Sequence, residues 1–220
     1  MLDIPESIKS LFKSDNTTND TRRHLKLYFY NKDVPLSPSG ELLPIDQEPC
    51  YVIDNKQVLT EALTITESLC ESDDLKFGEC NAAQFEITVA DVLIDLSGKE
   101  FIFTIEVGGY EMAMGIYRVE SFVRLESDRR KKKITAYNRM RRFQTDVTAW
   151  YQGLNFPMTL KSLRDSLCGH IGIEQVDTSL PLDNMLISKT IEPEQLSGLK
   201  VLQAICEING CFGQIDKTGE

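Results

Sequence analysis

Few side chains in this sequence have the type and spacing that catalysis requires. Cys168 and His170 are the only cysteine and histidine close together in the chain, and a thiol beside an imidazole can act as a nucleophile and its base. They flank Gly169, where we expect a helix to end, so the two side chains should point in different directions. We therefore interpret this segment as a helix end and not as a catalytic centre.

Metal and cofactor motifs are also missing. The acidic cluster of Glu71, Asp73 and Asp74 lacks the spacing and the central glycine of a calcium-binding EF-hand loop. The six cysteines include no CxxC pair and no zinc-site spacing, so we expect buried free thiols. A glycine-rich phosphate loop, HExxH and GxSxG are absent. The sequence predicts a protein that is not an enzyme and holds no cofactor or metal.

A run of basic residues is the strongest local feature. It comprises Arg129, Arg130, Lys131, Lys132, Lys133, Arg139, Arg141 and Arg142, with no acidic residue between 129 and 142. The rest of the chain has 16 basic against 34 acidic residues. A charge run is usually a solvated surface, here at a hairpin tip, and the alternative is a docking surface for an acidic neighbour. Arg129 to Lys133 are the interface candidates, whereas too few aromatics accompany them for nucleic-acid stacking.

The composition excludes several classes of protein. The 220 residues are 41% hydrophobic and 26% charged, as in ordinary globular proteins, and the length fits one large or two small domains. A formal net charge of −10 argues against general affinity for phosphate backbones or anionic membranes, and we expect no sequence-specific nucleic-acid partner. There is no signal peptide and no apolar run long enough to span a membrane. We expect synthesis in a cytoplasm and no membrane partner.

Secondary-structure elements must position the candidate interface residues. The first predicted element along the chain is an amphipathic helix. Asp3 and Glu6 resemble a capping box. Apolar residues then recur at helical spacing, and they are Ile4, Ile8, Leu11 and Phe12. We expect residues 1–20 to form a helical arm that docks its apolar stripe on another surface, for which a second chain is one candidate.

Residues 21–137 alternate apolar and polar side chains with a period of two, which predicts half-buried antiparallel strands. Gly108 and Gly109 predict a hairpin turn. The apolar phase slips near Gly115, which predicts a β-bulge. The chain should then turn through Asp128 to Lys132 and return as a last strand. About seven short strands of this kind favour a small antiparallel β-barrel or a sandwich.

Residues 138–220 predict a smaller α+β domain, which makes the whole chain α+β. Thr159 can cap a helix ending at Gly169, and Ser197 can cap another ending at Gly210. We expect short strands at residues 171–176 and 211–215. The last residues read as a hairpin turn without a return strand, so we expect this domain to be truncated.

Five segments together resemble a known family. They are residues 65–91, 108–122, 134–143, 154–168 and 190–216, among them GGYEMAMGIYRVESF and LNFPMTLKSLRDSLC. In this order they resemble the N-terminal hub region of the tail-associated lysin, or prophage endopeptidase tail protein, of long-tailed phages and prophages of Gram-positive bacteria.

The resemblance implies a virion structural protein of the baseplate or tail tip. In that family a homotrimeric hub closes the tail tube beneath the distal tail protein ring, near the tape measure protein, and anchors the distal host-interaction parts. Its first domain is a small β-barrel and an α/β domain follows. The family has no catalytic residues in this region, so the resemblance implies that any lytic activity lies beyond residue 220.

Two alternative functions stay open. A host carbohydrate or receptor-binding module should expose clustered aromatics, and Trp150 is the only tryptophan. The second alternative is part of a peptidoglycan-cleaving tail endopeptidase whose catalytic domain lies outside this fragment.

Overall fold

The chain is known from a computed structural model, which describes residues 5–13, 22–31, 33–34, 48–70, 76–175, 179–189, 193–217 and 219. In chain order the described elements are α1 (Glu6–Lys13), β1 (His24–Tyr30), β2 (Tyr51–Asp54), β3 (Val58–Thr66), β4 (Gln84–Ala90), β5 (Glu100–Val107), β6 (Tyr110–Leu125), β7 (Asp128–Asn138), a 3₁₀ helix (Arg139–Gln144), α2 (Thr148–Gln152), β8 (Met158–Thr159), α3 (Leu160–Ile171), β9 (Leu186–Ile187) and α4 (Gly198–Asn209).

These elements belong to two compact units. The first contains Met1–Ile65 and Phe85–Ala136, and the second contains Thr66–Gln84 and Tyr137–Glu220. The sequence predicts that residues 66–84 belong to the barrel domain, whereas in the structure they cluster with the C-terminal unit. Their backbone makes the contacts: Gly78 N donates to Cys211 O at 2.9 Å, and Glu79 O accepts from Gly213 N at 3.2 Å.

One seven-stranded sheet dominates the first unit, with strand order β2-β1-β5-β6-β7-β4-β3. The edge strands β2 and β3 are consecutive in the chain and are joined by a tight turn, in which Gln57 N donates to Asp54 O at 3.0 Å. Because opposite edges of the sheet share so short a connection, the sheet must curl back on itself. It is a curled antiparallel half-barrel, and the closed small barrel expected from the sequence is not confirmed.

The hairpin of β5 and β6 contains the predicted bulge. Gly108 and Gly109 form its turn, and both have positive φ. Phe103 pairs with Gly115 whereas Thr104 pairs with Ala113, so the register shifts by one residue between these two pairs. The extra residue reverses the facing of the rest of β6, as the phase slip in the sequence predicts.

The first unit has an aromatic core, with ring centroids 4.9 to 5.8 Å apart. The rings are Phe29, Phe85, Phe101, Phe103 and Tyr117. A second, smaller cluster of Tyr30, Val34, Ile102 and Ile116 forms separately from these rings. Because both clusters draw on β5, this strand is buried from Glu100 to Thr104, and the expectation that it is half-buried is wrong.

Helices form the core of the second unit. Thr159 and Ser197 cap α3 and α4 as predicted, each accepting a hydrogen bond from the backbone N–H three residues later. α4 ends at Gly210 as predicted, but α3 continues past Gly169 and is capped by Gly172. Both helices contribute to the core of the second unit. The contributing residues include Leu160, Leu163 and Leu167 from α3 and Val201, Leu202 and Ile205 from α4.

The prediction of short strands at residues 171–176 and 211–215 is wrong for the residues of these segments that the structure describes. Residues 172–175 and 211–215 adopt no regular strand. The backbone of residues 211–213 instead exchanges hydrogen bonds with the loop at Gly78 and Glu79. β8 and β9 form the small ladder of the unit, in which Met158 pairs with Ile187 and Thr159 with Leu186.

Candidate functional site

The amphipathic arm is present as α1. Ile8 and Leu11 are half-buried, while Ile4 and the side chain of Phe12 lie outside the described residues. Lys9 Nζ lies 2.7 Å from Glu6 Oε1, so this ion pair occupies the polar side of the helix. α1 approaches β5 of the same unit. The helix therefore has a neighbour within its own chain.

Residues 129–133 of the basic run lie in a strand and not at a hairpin tip, whereas Arg139, Arg141 and Arg142 lie in the 3₁₀ helix. β6 ends at Leu125 and β7 begins at Asp128, so the turn is formed by Glu126 and Ser127, and the residues from Arg129 to Lys133 belong to β7. The expected turn from Asp128 to Lys132 is therefore wrong. Charge marks solvent exposure but does not fix backbone conformation. β7 lies between β6 and β4 in the sheet, and the side chains at the start of such a strand can reach water as those of a turn do.

Acidic side chains of the same unit neutralise part of this run. Lys131 Nζ and Arg130 Nε lie 3.7 and 3.9 Å from Asp128, and Lys133 Nζ lies 2.8 Å from Glu86 Oε1. The backbone N–H of Arg130 donates to Asp128, which with the nearby Lys131 and Arg130 charges holds the pKa of this carboxyl below its usual range. Among residues 129–133, Arg129 and Arg130 are exposed; of the other members of the run, Arg141 is exposed and Arg139 is buried.

An apolar loop adjoins the basic strand. Asp91 N donates to Arg130 O at 3.1 Å, and Lys132 Nζ donates to Val92 O at 2.7 Å. The next two residues expose their side chains, Leu93 by 92% and Ile94 by 37%. We call Leu93, Ile94 and residues 129–133 the basic surface. Exposed apolar groups beside guanidinium groups are typical of protein interfaces.

A separate polar cleft of about 520 Å³ lies in the first unit, beside β1 and β5. Lys26 Nζ donates to Glu106 Oε2 there at 2.8 Å, and Tyr28 Oη donates to Glu111 Oε1 at 2.9 Å. The hydrogen bond raises the pKa of Lys26 and lowers that of Glu106, while burial raises the pKa of Tyr28. These charges satisfy one another, so the network stabilises the sheet.

The one nucleophile–base candidate of the sequence is divided between two environments. Cys168 is buried, and burial raises the pKa of its thiol to about 11. His170 is exposed and its ring stacks on Trp150 with centroids 5.5 Å apart. In the part of the chain that the structure describes, no group of three or more metal-ligating side chains converges. Likewise, no described helix is long and apolar enough to cross a bilayer.

Two features of potential functional importance were not predicted from the sequence. The first is the exposed apolar pair Leu93 and Ile94, which in the sequence resembles part of a strand. The thiols of Cys80 and Cys206 lie 3.8 Å apart although the residues are 126 positions apart in the chain. No local signal in the sequence indicates a contact over that separation.

Comparison with known proteins gives a likeness of fold. No family model and no curated protein matches the sequence. Among solved structures, the 43 kDa tail protein of prophage MuSo2 from Shewanella oneidensis superimposes with a TM-score of 0.54 at 14% sequence identity. The match covers 90% of this chain and 53% of the tail protein, so the chain spans about half the length of that relative. The chain shares its fold with about half of that tail protein.

Proposed function

We propose that this chain is a structural component of a phage or prophage tail and that it acts by assembly, not by catalysis. The observation that supports this proposal is the likeness of fold to a prophage tail protein over 90% of the chain. The segments that resemble tail hub proteins favour the same function independently of the fold.

Within the tail, we place the chain in the trimeric hub at the tip. The hub would close the tail tube, contact the distal tail protein ring and the tape measure protein, and anchor the host-interaction parts. Charge supports self-assembly, because outside residues 129–142 each chain carries 16 basic and 34 acidic residues. In a closed ring, the basic surface of one subunit can therefore meet an acidic surface of its neighbour.

Labelling of intact particles tests the proposed location. Antibodies against the purified chain, coupled to gold, would be applied to phage particles released from the bacterium that carries the gene. We expect gold at the tail tip in electron micrographs. Gold along the tube would agree with a tail component but contradict a location in the hub. Particles without label on the tail would contradict both the tail function and the hub location.

Mass measurement tests the trimer separately. Light scattering on the full-length protein at micromolar concentration should give three times the mass of one subunit. The 220 residues of this chain have a mass of 25.0 kDa. A strict monomer or a dimer would contradict the trimeric hub and leave the tail location to be decided by the labelling.

A further inference from the structure

Two buried thiols of the second unit face each other. Cys80 Sγ lies 3.8 Å from Cys206 Sγ, and the two residues are 2% and 5% exposed. Cys80 belongs to the loop before β4, and Cys206 lies in the last turn of α4. All six cysteines are reduced in the structure. Two thiols in van der Waals contact need only a small side-chain rotation to reach the S–S bond length of about 2.05 Å.

The surroundings hold both sulfur atoms in place. The Cys80 thiol donates to Gly78 O at 3.5 Å. Gly213 covers the pair from the other side, since a Cβ atom at that position would lie 2.6 Å from Cys80 Sγ and 3.5 Å from Cys206 Sγ. The hydrogen bond from Gly213 N to Glu79 O fixes this approach. The two thiols therefore stay adjacent as long as the unit is folded.

We propose that Cys80 and Cys206 form a reversible disulfide when the protein meets a peroxide oxidant. The Cys80 sulfur attacks one peroxide oxygen, so an S–O bond forms, the O–O bond breaks and the departing hydroxide leaves as water after taking a proton. The Cys206 sulfur then attacks the Cys80 sulfur of the sulfenic acid, and the S–O bond breaks as the S–S bond forms. Two thiols and one hydrogen peroxide give one disulfide and two waters, with two electrons passing to the peroxide.

The roles of the two sulfurs follow from their environments. The contact with Cys206 and the backbone N–H of Gly213 lower the pKa of Cys80, against the effect of burial. The contact with Cys80 and burial raise the pKa of Cys206. Burial also raises the pKa of Cys168 and of Cys211, each to about 11. Because the thiolate is the attacking species, the lowered pKa of Cys80 favours its sulfur as the first to react, and either order gives the same disulfide.

The bond would tie together the two chain segments of the second unit. It would connect residues 66–84 to α4 and close a loop of 126 residues. A long closed loop restricts the unfolded chain, so oxidation should raise the Tm of this unit by roughly 5 to 10 °C. A protein that leaves a reducing cytoplasm would gain this stabilisation on release.

Peptide mapping of the wild-type protein tests the pairing. The reduced full-length chain would be treated with hydrogen peroxide, blocked with iodoacetamide and digested with trypsin and a glutamate-specific protease without reduction. Cleavage after Glu207 separates Cys206 from Cys211. We expect a linked peptide pair containing Cys80 and Cys206, a fall from six titratable thiols to four, and full recovery with dithiothreitol. A Cys206–Cys211 link, an intermolecular link or only sulfinic acid would overturn the proposal.

Thermal unfolding provides a second readout. The wild type and the variant Cys50→Ser, which removes an exposed thiol of the first unit, should both show the rise in Tm after oxidation. Cys80→Ser and Cys206→Ser should show none. If either serine variant fails to fold, the mapping of the wild type still decides the question. An equal rise in Cys206→Ser would overturn the proposal.

Discussion

Arg164 and Asp183 form a two-pronged ion pair inside the second unit. Arg164 Nη1 lies 3.0 Å from Asp183 Oδ1, and Arg164 Nη2 donates to Asp183 Oδ2 at 3.2 Å. The side chains are only 11% and 8% exposed. Asp183 also accepts from the backbone N–H of Leu180 at 2.8 Å. The pair thus holds the loop before β9 against α3. No sequence motif predicts this ion pair.

Replacing Arg164 with methionine should destabilise the second unit. The Asp183 carboxylate would remain buried without its counter-charge, so we expect a loss of about 3 kcal/mol in the free energy of unfolding. Urea unfolding followed by circular dichroism measures this loss. The matched control is Lys161→Met, which breaks the Lys161–Asp165 pair, whose side chains are 50% and 45% exposed. The control should cost at most about 1 kcal/mol, and equal losses would contradict the buried-pair argument.

A methyl group at Gly115 should be costly. The residue has φ +144°, and a Cβ there would lie 2.8 Å from Cε2 of Tyr117, which is 1% exposed. Backbone strain and overpacking together predict that Gly115→Ala lowers the free energy of unfolding by about 3 kcal/mol. Gly98→Ala is the control, because it has positive φ and no atom within 4 Å. It should cost about 1 kcal/mol. Equal effects would show that the bulge tolerates a side chain.

Local features of the fold could be predicted from the sequence because short-range patterns determine them. A change in apolar phase predicts the bulge at Gly115, and hydroxyl side chains at Thr159 and Ser197 predict the two helix starts. Alternation predicts most strands of the sheet. These signals come from neighbouring residues, whose spacing decides which side of an element is buried.

Long-range features could not be predicted in this way. The sequence offers two glycines near the end of α3, and only the packing decides that Gly172 and not Gly169 is the cap. The density of basic charge predicts the exposure of Arg129 and Arg130, but it does not distinguish a strand from a turn, and Arg139 of the same run is buried. The contact of Cys80 with Cys206, and that of Arg164 with Asp183, depends on where distant segments meet in the folded chain.

Gly169 lies inside α3, so we expect its replacement by alanine to stabilise the folded protein. A Cβ at this exposed position would have no atom within 4 Å. Gly169→Ala should raise the free energy of unfolding by about 0.5 to 1 kcal/mol, because alanine restricts the unfolded chain and favours the helix. Gly172→Ala, at the left-handed cap with φ +77°, should instead lower it by about 1 kcal/mol. Urea denaturation distinguishes the two signs, and a loss in Gly169→Ala would contradict the observed helix end.

The Lys26–Glu106 pair should make the free energy of unfolding depend on pH. The Lys26 hydrogen bond holds the pKa of Glu106 below its usual range. A carboxyl with a lowered folded-state pKa contributes stability above the unfolded-state pKa and loses it as the pH falls through the folded value. The wild type should therefore exceed Glu106→Gln in unfolding free energy by a constant amount near neutrality.

That difference should shrink in acid, starting below about pH 5 and continuing through the folded-state pKa. Urea unfolding of both proteins from about pH 7 to about pH 3 measures the trend. Glu126→Gln, in the exposed turn between β6 and β7, is the control and should run parallel to the wild type. A gap between the wild type and Glu106→Gln that does not narrow in acid would mean that the carboxylate charge contributes nothing.

The basic surface should govern self-association more than folding. Arg129 and Arg130 are exposed, whereas Lys132 and Lys133 contact Val92 and Glu86 within the unit. Replacing both arginines with glutamine should therefore change the free energy of unfolding by less than about 0.5 kcal/mol. If this surface meets an acidic neighbour, the double variant should weaken the Kd of self-association about tenfold, and salt should weaken the wild type in the same direction.

Sedimentation of the full-length protein at several salt concentrations measures the Kd. The control removes the same charge from the other unit, with Lys161→Gln and Lys200→Gln at exposed helix positions. Loss of association in the arginine variant alone would favour docking through residues 129–133, because both variants lower the net charge equally. Equal loss in both would mean that overall charge drives association. Unchanged association in the arginine variant would contradict a docking role for the surface.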